Sequence, residues 1–192
     1  MLSERQKEIL MTSVKLAAAK GVQAITMKNI SSEIGISDAA LYRHFQSKRD
    51  IMLGIIELFS VTSDRDFESS LNSSNSPLSE IESLILKRVE HFSQFPEIAY
   101  IMLSVDIFMQ DEELKSAAIS SIHKHKEFIL SLIIKGQAKG EIRGDAGPKE
   151  LARVILGSLR LLLTQWILTD YSFDLKAEFE MLWKTICLLL KA

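Results

Sequence analysis

Apolar residues recur along nearly the whole chain at spacings of three and four, the period of a helix buried along one face, and no Val/Ile/Thr-rich run alternates with a period of two. The pattern predicts an all-α chain of about nine helices. Ile9, Val14, Leu16 and Ala17 form the apolar stripe of a first helix from about Glu4 to Lys20, opened by a Ser3/Gln6 capping box and closed by Gly21. Thr26 is placed to cap a short second helix that ends near Ile34. Gly35, Ile36 and Ser37 then make a three-residue turn into a third helix, Asp38 to about Phe45. Ser47 and Asp50 open a fourth, which runs to about the low sixties. The low-complexity stretch 69–77 reads as a loop. Ser76–Pro77 starts a fifth helix, with Leu78, Ile81, Ile85, Val89 and Phe92 at helical spacing. Pro96 starts a sixth that ends near Gln110. A long seventh runs from about Glu112 to Ala138 and is ended by Gly140, an eighth from Pro148 to about Leu168, and a ninth from Asp174 nearly to the end.

The last two helices break the one-sided pattern. Between Leu151 and Leu168 apolar side chains point nearly all round, and a helix apolar on every side must be covered on every side. Two coverings are open. Both helices are central to one chain, or they join a second copy in a twofold four-helix bundle through Leu159, Leu162, Leu163, Phe179, Leu182, Trp183 and Ile186. The rarity of large exposed apolar patches favours the homodimer.

Composition narrows the class. The 192 residues are 47% hydrophobic with three Pro and eight Gly, enough for a substantial core. One cysteine, Cys187, excludes an intrachain disulfide and a cysteine-based metal site. The N-terminus is charged within its first five residues, and no uninterrupted apolar run approaches about 18 residues, so a cytoplasmic protein with no membrane partner is expected. Net charge is −2, yet residues 1–54 hold eight Lys/Arg against five Asp/Glu and the remainder 15 against 20. That sign of asymmetry suits a small DNA-binding head on an acidic body.

Two short helices joined by a glycine-containing turn and braced by a longer helix describe a helix-turn-helix. Ile30, Ile34, Ile36, Leu41 and Phe45 are apolar where such helices meet. Ser37, Asp38, Ala39, Ala40, Tyr42, Arg43 and His44 are left on the outer face of the second. Small side chains at Ala39 and Ala40 admit close approach to base edges, and alanine suits a thymine methyl. Thr26, Lys28, Tyr42, His44 and Lys48 suit phosphates, aided by helix-start N–H groups. Each alone has an ordinary reading as a cap or surface residue; it is their coincidence that points to DNA.

The stretch "GVQAITMKNISSEIGISDAALYRHFQSKRDIM", Gly21 to Met52, resembles the N-terminal domain of the TetR family of transcriptional regulators. It matches the family pattern at Gly21, Thr26, Ile30, Gly35, Ser37, Ala39, Leu41, Tyr42, His44, Phe45, Ser47 and Lys48, and departs at Ser31, where alanine is usual and serine also packs tightly. "GEIRGD" (Gly140 to Asp145) is similar to the family's turn before its penultimate helix. The resemblance implies a three-helix DNA-binding domain at residues 1–50 and a helical effector-binding and dimerisation domain at 51–192. It further implies a homodimer joined by its last two helices on a palindromic, double-stranded operator, most simply a repressor released by a small-molecule effector. Recognition helices would then lie about 34–36 Å apart.

Beyond the head the chain is less informative. Phe92, Phe95, Tyr100, Met102, Phe108, His123 and Trp166 are the candidate pocket lining, suited to a hydrophobic effector. Arg153 and Arg160 share a helix face and are open to an anionic ligand group, an interface salt bridge or solvent. No cofactor or metal is expected, since His123 and His125, two apart, face different ways on a helix. Nor is an enzyme expected. The acidic run Asp111, Glu112 and Glu113 sits at a helix start, where the dipole favours it, and no glycine-rich phosphate loop appears. Activators, and DNA-binding dimers that work through protein partners without an effector, remain open beside the repressor.

Overall fold

Local signals set most of the helix ends. The computed structural model describes residues 2–70, 76–109 and 111–192, the side chains of 61–70 excepted. Ser3 accepts from the Gln6 amide at 3.2 Å while the Gln6 side chain accepts from the Ser3 amide at 3.0 Å, and this reciprocal box opens α1 (Glu4–Lys20). A 3₁₀ turn, Val22–Ala24, leads into α2 (Met27–Ile34) and α3 (Asp38–Tyr42). There follow α4 (Lys48–Ser70), α5 (Pro77–Gln94), α6 (Pro96–Leu103), α7 (Val105–Phe108), α8 (Glu112–Ala138), α9 (Pro148–Leu168) and α10 (Leu175–Leu190). Among the described residues there are thus ten α-helices and no strand. Of the expected loop at 69–77, Ser69 and Ser70 belong to α4, Ser76 caps α5, and residues 71–75 lie outside the described residues, as does Gln110.

The tenth helix comes from a break inside the segment expected as one helix from Pro96 to Gln110. The Ser104 hydroxyl donates to the Tyr100 carbonyl at 2.6 Å, and Ser104 turns to ψ 82°, outside the helical range. A fresh turn, α7, starts from there. α3 also ends earlier than the expected Phe45, although the Phe45 amide still reaches the Leu41 carbonyl at 3.1 Å.

The chain divides into two compact units, Met1–Thr62 with Glu97–Ser121, and Ser63–Pro96 with Ile122–Ala192. In the first, Ile9, Leu10, Val14, Ile25, Ile30, Leu41 and Ile51 are fully buried. Gly54 lets α4 come close: a Cβ there would stand 2.9 Å from Leu10 Cδ2 and 3.2 Å from Phe45 Cε1.

In the second unit α10 packs on α5 and α9. Here the interface residues expected from sequence need correcting. Leu159, Leu162, Leu163, Phe179, Trp183 and Ile186 are buried within the single chain, and Leu182 is half-buried. They are core because α10 packs on both α9 and α5 within the single chain. The apolar side chains left in solvent are Val154, Leu161 and Leu168 on α9, and Met181, Leu188 and Leu189 on α10. By length and composition α9 is apolar enough to cross a membrane, with mean hydropathy 1.5 over its most apolar stretch and 33% of that stretch buried. A search for uninterrupted apolar runs passes over this helix because Arg153 and Arg160 interrupt it.

The α8–α9 connection is pinned from several sides. Gln137 donates to the carbonyls of Arg143 at 2.8 Å and Ala146 at 2.9 Å, and the Arg143 amide donates to the Leu190 carbonyl at 2.8 Å. The Arg143 guanidinium forks onto Asp145 at 2.6 and 2.7 Å and holds that carboxyl below the usual carboxylate range. Gly136 makes room for Ile142, whose Cδ1 and Cγ1 would lie 2.5 and 2.8 Å from a Cβ at that position. Gly136→Ala is expected to cost about 1–3 kcal/mol through overpacking, because Ile142 is buried and has little room to retreat. A lowered denaturant midpoint at unchanged m-value checks this.

Candidate nucleic-acid interface

The head is set by three caps and one left-handed residue. Thr26 Oγ1 accepts from the Asn29 amide at 3.1 Å and starts α2, while Asn29 Nδ2 donates back to the Ala24 carbonyl at 2.9 Å. α2 stops at Gly35, which sits at φ +75°; the Gly35 amide reaches the Ser32 carbonyl at 3.3 Å and the Ile36 amide the Ser31 carbonyl at 3.0 Å. Ser37 Oγ accepts from the Ala40 amide at 3.2 Å and starts α3. Ser47 accepts from the Asp50 amide at 3.1 Å and leads into α4. Leu41 and Phe45 are buried and fasten α3 to the rest of the head.

The structure brings the expected contact residues onto one short segment and its flanks. Thr26, Lys28, Ser37, Ala39, Tyr42, Arg43 and Lys48 are exposed, whereas Ala40 and His44 are half-buried. Tyr42 keeps 45% of its surface in solvent. Among the described residues, no hydrogen bond or ion pair engages the side chains of Lys28, Tyr42 or Arg43, so the fold makes no use of their polar groups. Lys48 Nζ donates to the Val22 carbonyl at 3.3 Å, a long contact that leaves two ammonium protons for another acceptor. Capping and contact are compatible for the hydroxyls. A cap uses an oxygen lone pair, and the O–H proton of Thr26 or Ser37 is still available to donate.

The expected effector lining does not gather in the same way. Phe92, Phe108 and Trp166 are buried, Tyr100 and Met102 half-buried, Phe95 and His123 exposed. Trp166 is committed to the turn after α9: its Nε1 donates to the Phe173 carbonyl at 3.0 Å and its ring meets Tyr171 edge-on at 4.8 Å. His123, in solvent, lines no interior. A cavity of about 520 Å³ lies in the first unit among Lys48, Arg49, Met52, Tyr100, Ser104, Asp106, Ile107 and Leu114, so Tyr100 is the one expected residue on its wall. On its wall Arg49 lies 3.9 Å from Asp111 and 3.5 Å from Glu113, long and largely solvent-screened pairs that contribute little stability. Sequence spacing gives no sign of this cavity, since its walls come from segments far apart in the chain. Arg153 pairs with Glu150 at 3.0 Å on the surface of α9. Among the described residues no group of three or more His, Cys, Asp or Glu is placed to hold a metal.

Residues 9–55 match the family model of tetR-type bacterial regulatory proteins, and residues 64–191 match that of the C-terminal region of YsiA-like proteins. The chain belongs to the TetR family. As a TetR-family protein it is a DNA-binding transcription regulator. It is 26% identical over 185 residues to the nucleoid occlusion factor SlmA of Vibrio vulnificus (strain YJ016), covering 94% of this chain and 93% of that protein. The fatty acid degradation regulator FadR from Bacillus halodurans shares its fold at a TM-score of 0.84, with 18% identity over 97% of this chain and 96% of that one. FadR from Bacillus subtilis, solved in complex with stearoyl-CoA, does so at 0.80, with 18% identity over 95% and 96%.

Gly35 allows a clean test of the turn. A Cβ at Gly35 meets nothing within 4 Å, so Gly35→Ala tests backbone conformation alone. It is expected to cost about 1–2 kcal/mol. Hydrogen exchange should show the amides of α2 and α3 opening more readily, with α9 and α10 unchanged.

Proposed function

We propose that this TetR-family regulator is a repressor that binds a palindromic operator as a homodimer and is released by a small apolar effector. The reading rests on two surfaces: a head in which the polar groups of Lys28, Tyr42 and Arg43 are left unused by the fold, and an α9–α10 pair with apolar side chains that stay in solvent at spacings of seven. Val154, Leu161 and Leu168 make one such row on α9, and Met181 and Leu188 another on α10. Rows of this kind are what a four-helix interface between copies requires. In the head, Thr26, Lys28, Tyr42, His44 and Lys48 hold phosphates, while Ser37, Ala39, Ala40 and Arg43 face base edges.

The effector class is supported by FadR, which shares the fold and was solved with stearoyl-CoA. The acyl tail of stearoyl-CoA supplies the apolar group of this reading, so a long-chain acyl thioester is the first compound to try. The SlmA relative favours a second reading, a DNA-binding dimer that acts through protein partners without an effector. Stearoyl-CoA tests the first reading. A ligand that binds only the folded protein raises stability by about 2.7 kcal/mol at a hundredfold excess over its dissociation constant. A rise in melting temperature together with release of bound DNA supports the repressor reading; no shift, with DNA still held, removes long-chain acyl thioesters as its effector.

Two variants test the surfaces. Tyr42→Ala with Lys48→Ala is expected to weaken binding to all duplexes alike and to lower the salt slope by about one for each phosphate no longer engaged. Unchanged binding by the folded double variant would remove the phosphate assignment. Leu161→Glu is expected to give a folded monomer in sedimentation, whereas Leu162→Glu places a charge in the protomer's own core and should cost the fold itself.

A further inference from the structure

Ser31, on the inner side of the head, has a partner across the turn. Ser31 lies on α2, 3% exposed, and its hydroxyl donates to Oδ1 of Asp38, the first residue of α3. The same Oγ stands 3.0 Å from the Lys28 carbonyl. A serine has one proton to give, and a carboxylate is the stronger acceptor, so the bond across the turn takes it. Asp38 is thereby tied back to α2.

The tie matters because of where Asp38 sits. It lies between the cap Ser37 and the small residues Ala39 and Ala40, at the leading end of the helix assigned above to the DNA. The two helices that meet at this turn, α2 and α3, and their ends also carry the exposed cations Lys28 and Arg43 and the exposed hydroxyls Thr26 and Ser37. A carboxylate free to swing among its rotamers there would bring negative charge towards the phosphates and would draw on the cations meant for them. Bound to Ser31, it stays on the α2 side and still benefits from the positive end of α3.

We propose that Ser31 is a positioning residue for operator recognition: its hydroxyl holds the Asp38 carboxylate against α2, so that the first turn of α3 meets DNA without a loose anion. The proposal rests on the reading of α3 as the DNA-facing helix. Duplexes are first selected from a random pool by the unaltered full-length protein. If none is retained, that reading fails at this stage, and the proposal with it.

The variants are then compared on the selected duplex by fluorescence anisotropy, with thermal unfolding as the check on folding. Ser31→Ala is expected to bind about three- to tenfold more weakly. Asp38→Asn alone should bind within about twofold of the unaltered protein, and Asp38→Asn added to Ser31→Ala should recover most of the loss. Recovery is the deciding readout, because a serine that only fills space would leave the double variant as weak as the single one. The proposal is overturned if Ser31→Ala binds like the unaltered protein, or if the folded double variant stays weak. It is also overturned if Asp38→Asn alone loses as much as Ser31→Ala, since Asp38 would then be touching DNA itself.

Discussion

α3 is five residues long, far below the length at which a helix holds itself together in water. Its existence depends on the burial of Leu41, on the Ser37 cap and on the left-handed turn at Gly35 that brings it against α2. Leu41 contributes about 1.5–3 kcal/mol and a cap about 1 kcal/mol, enough to fix one short turn of helix and little more. Everything the head can do on DNA follows from this. With its inner side fully committed to packing, its outer side is left to Ala39, Tyr42 and Arg43, which lie exposed and are not needed to hold the helix in place. A small helix with one buried face and one unused face is rigid enough to aim side chains and thin enough to enter a groove.

The same economy runs through the caps. Thr26, Ser37 and Ser47 each satisfy an amide that the helix start leaves unpaired, and each does so with a lone pair. Capping therefore fixes the direction of the hydroxyl without consuming its proton. For Thr26 and Ser37, which are exposed, serving as a cap therefore does not preclude a further hydrogen bond donated by the hydroxyl.

What was legible in the sequence was local. The α1 capping box, the Gly35 turn, the Ser76–Pro77 start and the spacing of Leu78, Ile81, Ile85 and Val89 each act within about one helical turn, so spacing alone exposes them. The break at Ser104 is also local, but serine bonds back to a preceding carbonyl in unbroken helices too, and nothing adjacent marks this one. The side of α9 that is buried was not legible. An all-round apolar helix carries no internal sign of which row meets its own chain, and the choice is made by what packs on it, α10 among them. The pairing of Ser31 with Asp38 escapes a sequence reading for a related reason: each residue has an adequate role by itself, and only the turn between them brings the two groups together.

α9 has to serve two surfaces at once. Leu151, Ile155, Leu159, Leu162 and Trp166 close the protomer's interior, while Val154, Leu161 and Leu168 run along another side in water. Apolar area on that second side gains nothing from folding of one chain, so its stabilisation of about 25 cal/mol per Å² is realised only when another surface covers it. Because both rows are on one rigid helix, a change that rotates or shifts α9 to suit the inner core also moves the outer row. Packing inside one protomer and packing against whatever covers the outer row are then mechanically joined through a single element.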